Sequence, residues 1–141
     1  TAVAMNKYHN DDPSILKPSI CYIDGDSSQM DSVAHKVYRL PGAMPESYIF
    51  DSVMGAWDRF GGKLAVACLQ KFEDANHVKD ICESIKRTNR DPHVLFAQVG
   101  ERLGLIPAST IAQAFVTIWA QANPESVESI LDTVKAAVPA V

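Results

Sequence analysis

The chain has 141 residues, of which 47% are hydrophobic and 21% are charged, and its formal net charge is -4. That length suits one ordinary domain, or one domain with an appendage, and that composition excludes disordered, collagen-like and coiled-coil chains. The acidic balance argues against a protein that coats nucleic acid through bulk charge. Cys21, Cys68 and Cys82 are too few and too scattered for a disulfide framework or paired zinc ligands. We therefore expect reduced core thiols in a cytoplasmic protein.

The first part of the chain has the pattern of a small α/β fragment. Residues 1–18 are rich in polar residues and predict a loop with room for one short turn. Residues 20–23 form an apolar run closed by a polar turn, which is typical of a strand buried in a parallel sheet. A short crossover helix over residues 28–35 and a second strand over residues 37–40 are predicted next. Because two strands alone make no stable sheet, we expect partner strands outside this chain or in its first residues.

From Pro45 onward the apolar residues recur with the helical period of 3.6. Pro45 can open a helix that Gly61-Gly62 would stop, and Asp91-Pro92 can cap and open another. The pattern predicts about five or six helices packed against their sequence neighbours. The predicted fold is therefore an α/β fragment with a partial parallel sheet, over residues 1–60, followed by an α-helical bundle over residues 61–141. We expect the chain to be predominantly helical overall.

Residues 103–124 contain no charged side chain and are numerous enough to span a membrane as a helix. Glycine, proline and several polar residues interrupt this stretch, and its apolar residues fall on one helical face. A spanning helix would be apolar all round. We therefore expect no association with a membrane.

Two aspartates follow the first predicted strand. Asp24 and Asp26 come one residue apart at its carboxyl end, which is the edge where parallel sheets bind ligands. Like charges this close repel each other, so a divalent cation between them would favour the arrangement. Gly25 would let the backbone turn without obstructing such an ion. The alternative is that Asp-Gly is simply a common turn dipeptide.

A third carboxylate, Glu46, falls in the first turn of the helix that opens at Pro45. The helix dipole favours a carboxylate there, which is reason enough for its presence. Glu46 would also be placed to bind a metal ion if the second strand lies beside the first.

These segments together resemble one known family. Cys-Tyr-Ile-Asp-Gly-Asp at residues 21–26 and Tyr-Arg-Leu-Pro-Gly at residues 38–42, followed by Pro45-Glu46, resemble the Toprim nuclease region of the overcoming-lysogenization-defect (OLD) family. The segments at residues 91–96 and 103–105 are similar to the helical tail of those proteins. Members of the family join an ABC-type ATPase to a Toprim domain and cut DNA with divalent metal, and several act in defence against phage.

The resemblance implies roles for particular residues. Asp24, Asp26 and Glu46 would be catalytic and would bind Mg²⁺ or Mn²⁺. A catalytic lysine is also implied further along, for which Lys79 and Lys86 are the candidates. We favour Lys86 because it lies just before the Asp91-x-His93 element, although an exposed lysine at a helix end has a simpler explanation.

A basic cluster would hold the DNA backbone in such a nuclease. Lys86, Arg87 and Arg90 form this cluster, near Lys79. The alternative is an ordinary solvated helix end.

Two departures from the family pattern matter. No strand ending in Glu-Gly, which would carry the family's first catalytic glutamate, precedes Ser19, and no GxxxxGK[ST] phosphate loop occurs. On this reading the chain is the back half of a nuclease domain with its helical tail, inactive without an upstream ATPase and Toprim portion of the same protein. We expect the assembled protein to be a homo-oligomer.

Two other functions stay open. Asp24-Gly25-Asp26-Ser27-Ser28 partly matches the nucleophile turn of haloacid-dehalogenase-like phosphotransfer enzymes, in which the first aspartate is phosphorylated. That family needs a later acidic pair on another strand, and the helical pattern after residue 45 offers none. The third possibility is a non-enzymatic helical interaction module in which the Asp-Gly turn is incidental.

Overall fold

A computed structural model describes residues 1–138, and over that range it is predominantly helical with one small parallel sheet. The elements in chain order are α1 (Ala2–Asp11), β1 (Cys21–Ile23), β2 (Val37–Arg39), α2 (Pro45–Gly55), α3 (Trp57–Ala67), α4 (Ala75–Thr88), α5 (Leu95–Arg102), α6 (Ala108–Ala122) and α7 (Pro124–Ala137). The prediction of a helical chain with a small parallel sheet at its front is confirmed. Among these described helices, none has the length and apolar character needed to cross a bilayer.

The contacts divide the chain into two compact units. The sheet unit consists of residues 1–45 and the described chain from Glu125 onward, and the helical unit is Glu46–Pro124. This division differs from the sequence-based boundary after residue 60. α2 groups with the helices that follow it because Phe50 stacks on Phe115 of α6, with ring centroids 5.0 Å apart.

In the sheet unit, β1 and β2 pair in parallel, with Cys21 opposite Val37 and Ile23 opposite Arg39. Both predicted strands are therefore confirmed, with shorter bounds. The predicted crossover helix over residues 28–35 is wrong, since that segment holds a single 3-10 turn at Val33–His35.

The prediction of a loop over residues 1–18 is also wrong in its first part, because α1 occupies Ala2–Asp11. Thr1 caps this helix by accepting a hydrogen bond from the Ala4 amide. Two asparagines one turn apart on α1 then fasten it to the main chain just ahead of each strand. Asn6 donates to the His35 carbonyl at 2.6 Å, and Asn10 exchanges two hydrogen bonds of 2.9 Å with the main chain of Ser19.

In the helical unit, α3, α4, α5 and α6 pack as sequence neighbours, as predicted, and α3 also packs on α6. The centre of this unit is apolar and includes the two buried thiols Cys68 and Cys82. Burial raises the pKa of each of these thiols to about 12. They are therefore inert core groups, and Cys21 is likewise buried and not part of a disulfide.

Gly61 and Gly62 do not end a helix, contrary to the prediction, but lie inside α3. A Cβ on Gly61 would come within 2.4 Å of the Trp57 ring, and one on Gly62 within 2.2 Å of the Phe72 ring. Packing therefore requires Gly61, because the Trp57 ring is buried, whereas the Phe72 ring near Gly62 is 63% exposed and can rotate away. The helix break falls earlier, at Ala56, between α2 and α3.

Candidate functional site

The loop after β1 carries the two predicted metal ligands. It closes with a hydrogen bond of 3.1 Å from the Ser27 amide to the Asp24 carbonyl. Asp24 is half-buried and Asp26 is exposed. Within residues 1–138, neither carboxylate accepts a hydrogen bond or forms an ion pair. Both side chains are therefore available to a ligand.

The loop after β2 packs directly against the loop after β1. The Asp26 amide donates to the Ala43 carbonyl at 3.0 Å, and the Leu40 amide donates to the Ile23 carbonyl at 2.9 Å. The two backbones come so close that a Cβ on Gly25 would lie 1.8 Å from the Gly42 oxygen. The two motifs quoted for the family resemblance are thus neighbours in the sheet unit. Gly25 is needed for this approach, beyond any need to leave space for an ion.

Arg39, which the sequence interpretation did not single out, holds the aspartate loop in place. Its Nη1 donates to the carbonyl oxygens of Asp24, Gly25 and Ser27 at 3.1–3.2 Å, and its Nη2 donates to that of Gln29. These bonds engage the main chain, so they fix the loop and leave the aspartate carboxylates unpaired. Arg39 lies within the second predicted strand, but its partners depend on how the two strands pair, for which the sequence pattern gives no signal.

We expect Arg39→Met to loosen the aspartate loop, since methionine keeps the apolar stem and removes every donor. Hydrogen bonds from a charged donor contribute about 1.5–3 kcal/mol, and a loss of that size should appear as faster amide hydrogen exchange over residues 21–29. Arg102→Met, which removes an exposed arginine from α5, is the control. Equal exchange rates in the two variants would contradict this role for Arg39.

Glu46 lies in the first turn of α2, as predicted, and it contacts a histidine. His93 Nδ1 lies 3.3 Å from Glu46 Oε1, and the other carboxylate oxygen is buried without a hydrogen-bond partner among the described residues. Asp91 supports this histidine by accepting a hydrogen bond from its amide at 3.0 Å. Glu46 belongs to the helical unit, whereas Asp24 and Asp26 belong to the sheet unit.

Both candidate catalytic lysines lie on α4 in the helical unit and form ion pairs there. Lys86 Nζ lies 2.9 and 3.2 Å from the two carboxylate oxygens of Asp51 on α2. Lys79 lies 4.0 Å from Glu83, one helical turn away. Neither partner was predicted. Asp51 is distant from Lys86 in sequence, whereas Glu83 is close to Lys79.

The donor chemistry of the aspartate loop suits a hard divalent cation. Mg²⁺ commonly binds one or two carboxylates and keeps several water molecules, and Asp24 and Asp26 supply two such carboxylates. Across the part of the chain that the structure describes, no three acidic, histidine or cysteine side chains are grouped closely enough to hold a metal ion. A site with Glu46 as third ligand stays a prediction.

Comparison with known proteins did not identify a relative of this chain. No family model, curated protein or solved structure matches this chain.

Proposed function

We propose that this chain is the back part of a Toprim-type, divalent-metal-dependent DNA endonuclease of an OLD-like protein that acts in the cytoplasm in defence against phage. One observation carries the proposal: the carboxylates of Asp24 and Asp26 stand unpaired at the carboxyl end of a parallel strand, on a loop that Arg39 fixes through its main chain. Ligands of open parallel sheets bind at that edge. The family resemblance supplies the substrate class.

In this proposal Asp24 and Asp26 hold Mg²⁺ or Mn²⁺, with Glu46 as a further ligand and Lys86 as the cation that offsets charge on the phosphate. The chemistry that such an ion supplies when bound is activation of water and stabilisation of the leaving oxygen. The protein's own contribution is to hold the backbone of the loop that carries these two carboxylates. Arg39 does this by fixing the loop while making no hydrogen bond to either carboxylate.

An upstream portion of the same protein would supply the missing catalytic residues and the ATPase. The assembled protein would be a homo-oligomer. The free edge of β1 supports this idea. The Cys21 amide and the Ile23 carbonyl bond toward β2, so the main-chain groups of Tyr22 between them face the opposite edge. Among the described residues, β2 is the only strand paired with β1. An upstream strand could pair at this edge.

Metal binding can be tested on the chain itself. We expect Mn²⁺ to raise the melting temperature, because a ligand at about 100 times its Kd stabilises the folded state by about 2.7 kcal/mol. Asp24→Asn should remove that shift without unfolding the chain, and Asp132→Asn, an exposed acid on α7, should keep it. A shift that persists in Asp24→Asn would contradict this site.

Cleavage is tested in the protein that carries its upstream portion. We expect Asp24→Ala or Asp26→Ala to lower metal-dependent DNA cleavage by more than about 100-fold, which is the upper end of what loss of an outer-shell partner costs a metal site. Retained cleavage in both variants would refute the assignment of a Toprim-type metal site to Asp24 and Asp26.

A non-enzymatic interaction module is the second candidate, and one observation favours it. Leu69 and Leu105 follow α3 and α5 in left-handed backbone conformations, and their side chains are 66% and 80% exposed. A leucine in the left-handed backbone conformation costs about 1–2 kcal/mol. Because these side chains are exposed, burial of apolar surface does not offset that cost. The phosphotransfer alternative has less support, because no strand follows Arg39 within residues 1–138 to carry its second acidic pair.

A further inference from the structure

A charged groove lies between α2 and α4 in the helical unit, with a volume of about 430 Å³. Three basic and two acidic side chains meet there around an apolar floor. The lining residues are Phe50, Asp51, Met54, Lys79, Glu83, Lys86 and Arg87.

The helical spacing of α4 explains why the charges converge. Lys79, Glu83, Lys86 and Arg87 are separated by four, three and one residues, so they lie along one face of the helix. From α2, Phe50 supplies the floor, and Lys86 Nζ lies 5.5 Å from the centre of its ring. The groove thus carries three positive charges beside two negative ones, which leaves a net charge of about +1 when all five groups are ionised.

The acidic side chains hold two of the three cations in the free protein. Asp51 engages Lys86 through both carboxylate oxygens, and Glu83 engages Lys79 at the longer distance of 4.0 Å. Lys86 and Asp51 are 36% and 61% exposed, and exposed ion pairs of this kind contribute about 1 kcal/mol or less. A phosphate could therefore replace Asp51 at Lys86 at little cost.

We propose that this groove binds the backbone phosphate of DNA, and that Asp51 occupies the phosphate position at Lys86 until DNA displaces it. The choice of DNA rests on the proposed function. Lys79 and Arg87 are the additional cations, and Asp51 is a built-in competitor that weakens binding. Its removal is therefore expected to tighten binding, which is the opposite of what loss of a structural ion pair would do.

The test measures binding of the chain to a short fluorescent DNA duplex by anisotropy, in EDTA so that no metal contributes. We expect Lys86→Gln to weaken binding about threefold and to lower the salt dependence of log K by about 0.9, the contribution of one phosphate contact. Asp51→Asn should tighten binding by a similar factor. In Lys86→Gln protein, Asp51→Asn should have a much smaller effect, because the competitor has lost its cation.

The controls make the same charge changes elsewhere in the helical unit. Lys71→Gln and Asp58→Asn alter exposed side chains outside the groove. If each groove variant changes affinity no more than its control, or if the chain binds no DNA at low salt, the groove proposal is overturned. Groove-dependent binding in EDTA together with unaltered cleavage by both Asp24→Ala and Asp26→Ala would instead support the groove and refute the metal site at these aspartates.

Discussion

Substitution of Gly25 by alanine is expected to disrupt the native structure around β1 and β2. The added Cβ would lie 1.8 Å from the carbonyl oxygen of Gly42 and 2.7 Å from its carbonyl carbon. Both are main-chain atoms, and the turn that carries them is tied to the aspartate loop by the Asp26–Ala43 hydrogen bond. No side chain can rotate to relieve the overlap. We expect a cost of at least about 3 kcal/mol, the upper end of ordinary overpacking.

Hydrogen exchange measured peptide by peptide localises this effect. Amide protection should be lost over residues 21–23 and 37–39, while the helices of the helical unit keep theirs. Gly55→Ala is the matched control, because a Cβ there meets nothing within 4 Å. Alanine is favoured over glycine in a helix by about 0.5–1 kcal/mol, so that variant should be as stable as the parent or more so. Native protection of the strands in Gly25→Ala would contradict the expectation.

Phe115→Ala is expected to destabilise the helical unit by about 3–5 kcal/mol, as large-to-small core substitutions do. Phe115 is fully buried, stacks on Phe50 at an interplanar angle of 9° and also contacts the Phe96 ring, whose centroid is 5.2 Å away. Three helices meet through these rings. Their loss would leave a cavity that the surrounding side chains cannot fill by small movements.

Tryptophan fluorescence during chemical denaturation reports on this unit specifically, because both tryptophans of the chain, Trp57 and Trp119, lie in it. Val116→Ala, a 44% exposed neighbour on α6, is the control and should change stability by no more than about 0.5 kcal/mol. A Phe115→Ala variant as stable as this control would show that the ring cluster does not hold the helices together.

The bundle was predictable because local chemistry determines its elements. Pro45 opens α2 as expected, Asp91 caps the 3-10 turn that leads into α5, and the apolar period of 3.6 identifies the buried faces. The predictions failed where residues distant in sequence determine the local structure. α1 depends on Asn6 and Asn10 reaching the main chain near the strands, and Gly61 is packed against a ring rather than ending a helix.

For the candidate site, the sequence predicted which acids follow the strands but not what holds them. Asp24 and Asp26 are recognisable from their spacing after an apolar run. The role of Arg39 depends on strand register, which brings it opposite Ile23. The contact between Glu46 and His93 joins residues 47 positions apart. Neither relation has a periodic signal in the sequence.

The chain leaves the sheet unit at residue 45 and re-enters it at Glu125 with α7. The helical unit is therefore an uninterrupted stretch, Glu46–Pro124, set within a discontinuous one. A fragment cut at these two points keeps the bundle's own segments whole. Removal of the last helix instead deprives the strand-bearing unit of one of its own elements, so shortening the chain at its far end affects the part that carries Asp24 and Asp26.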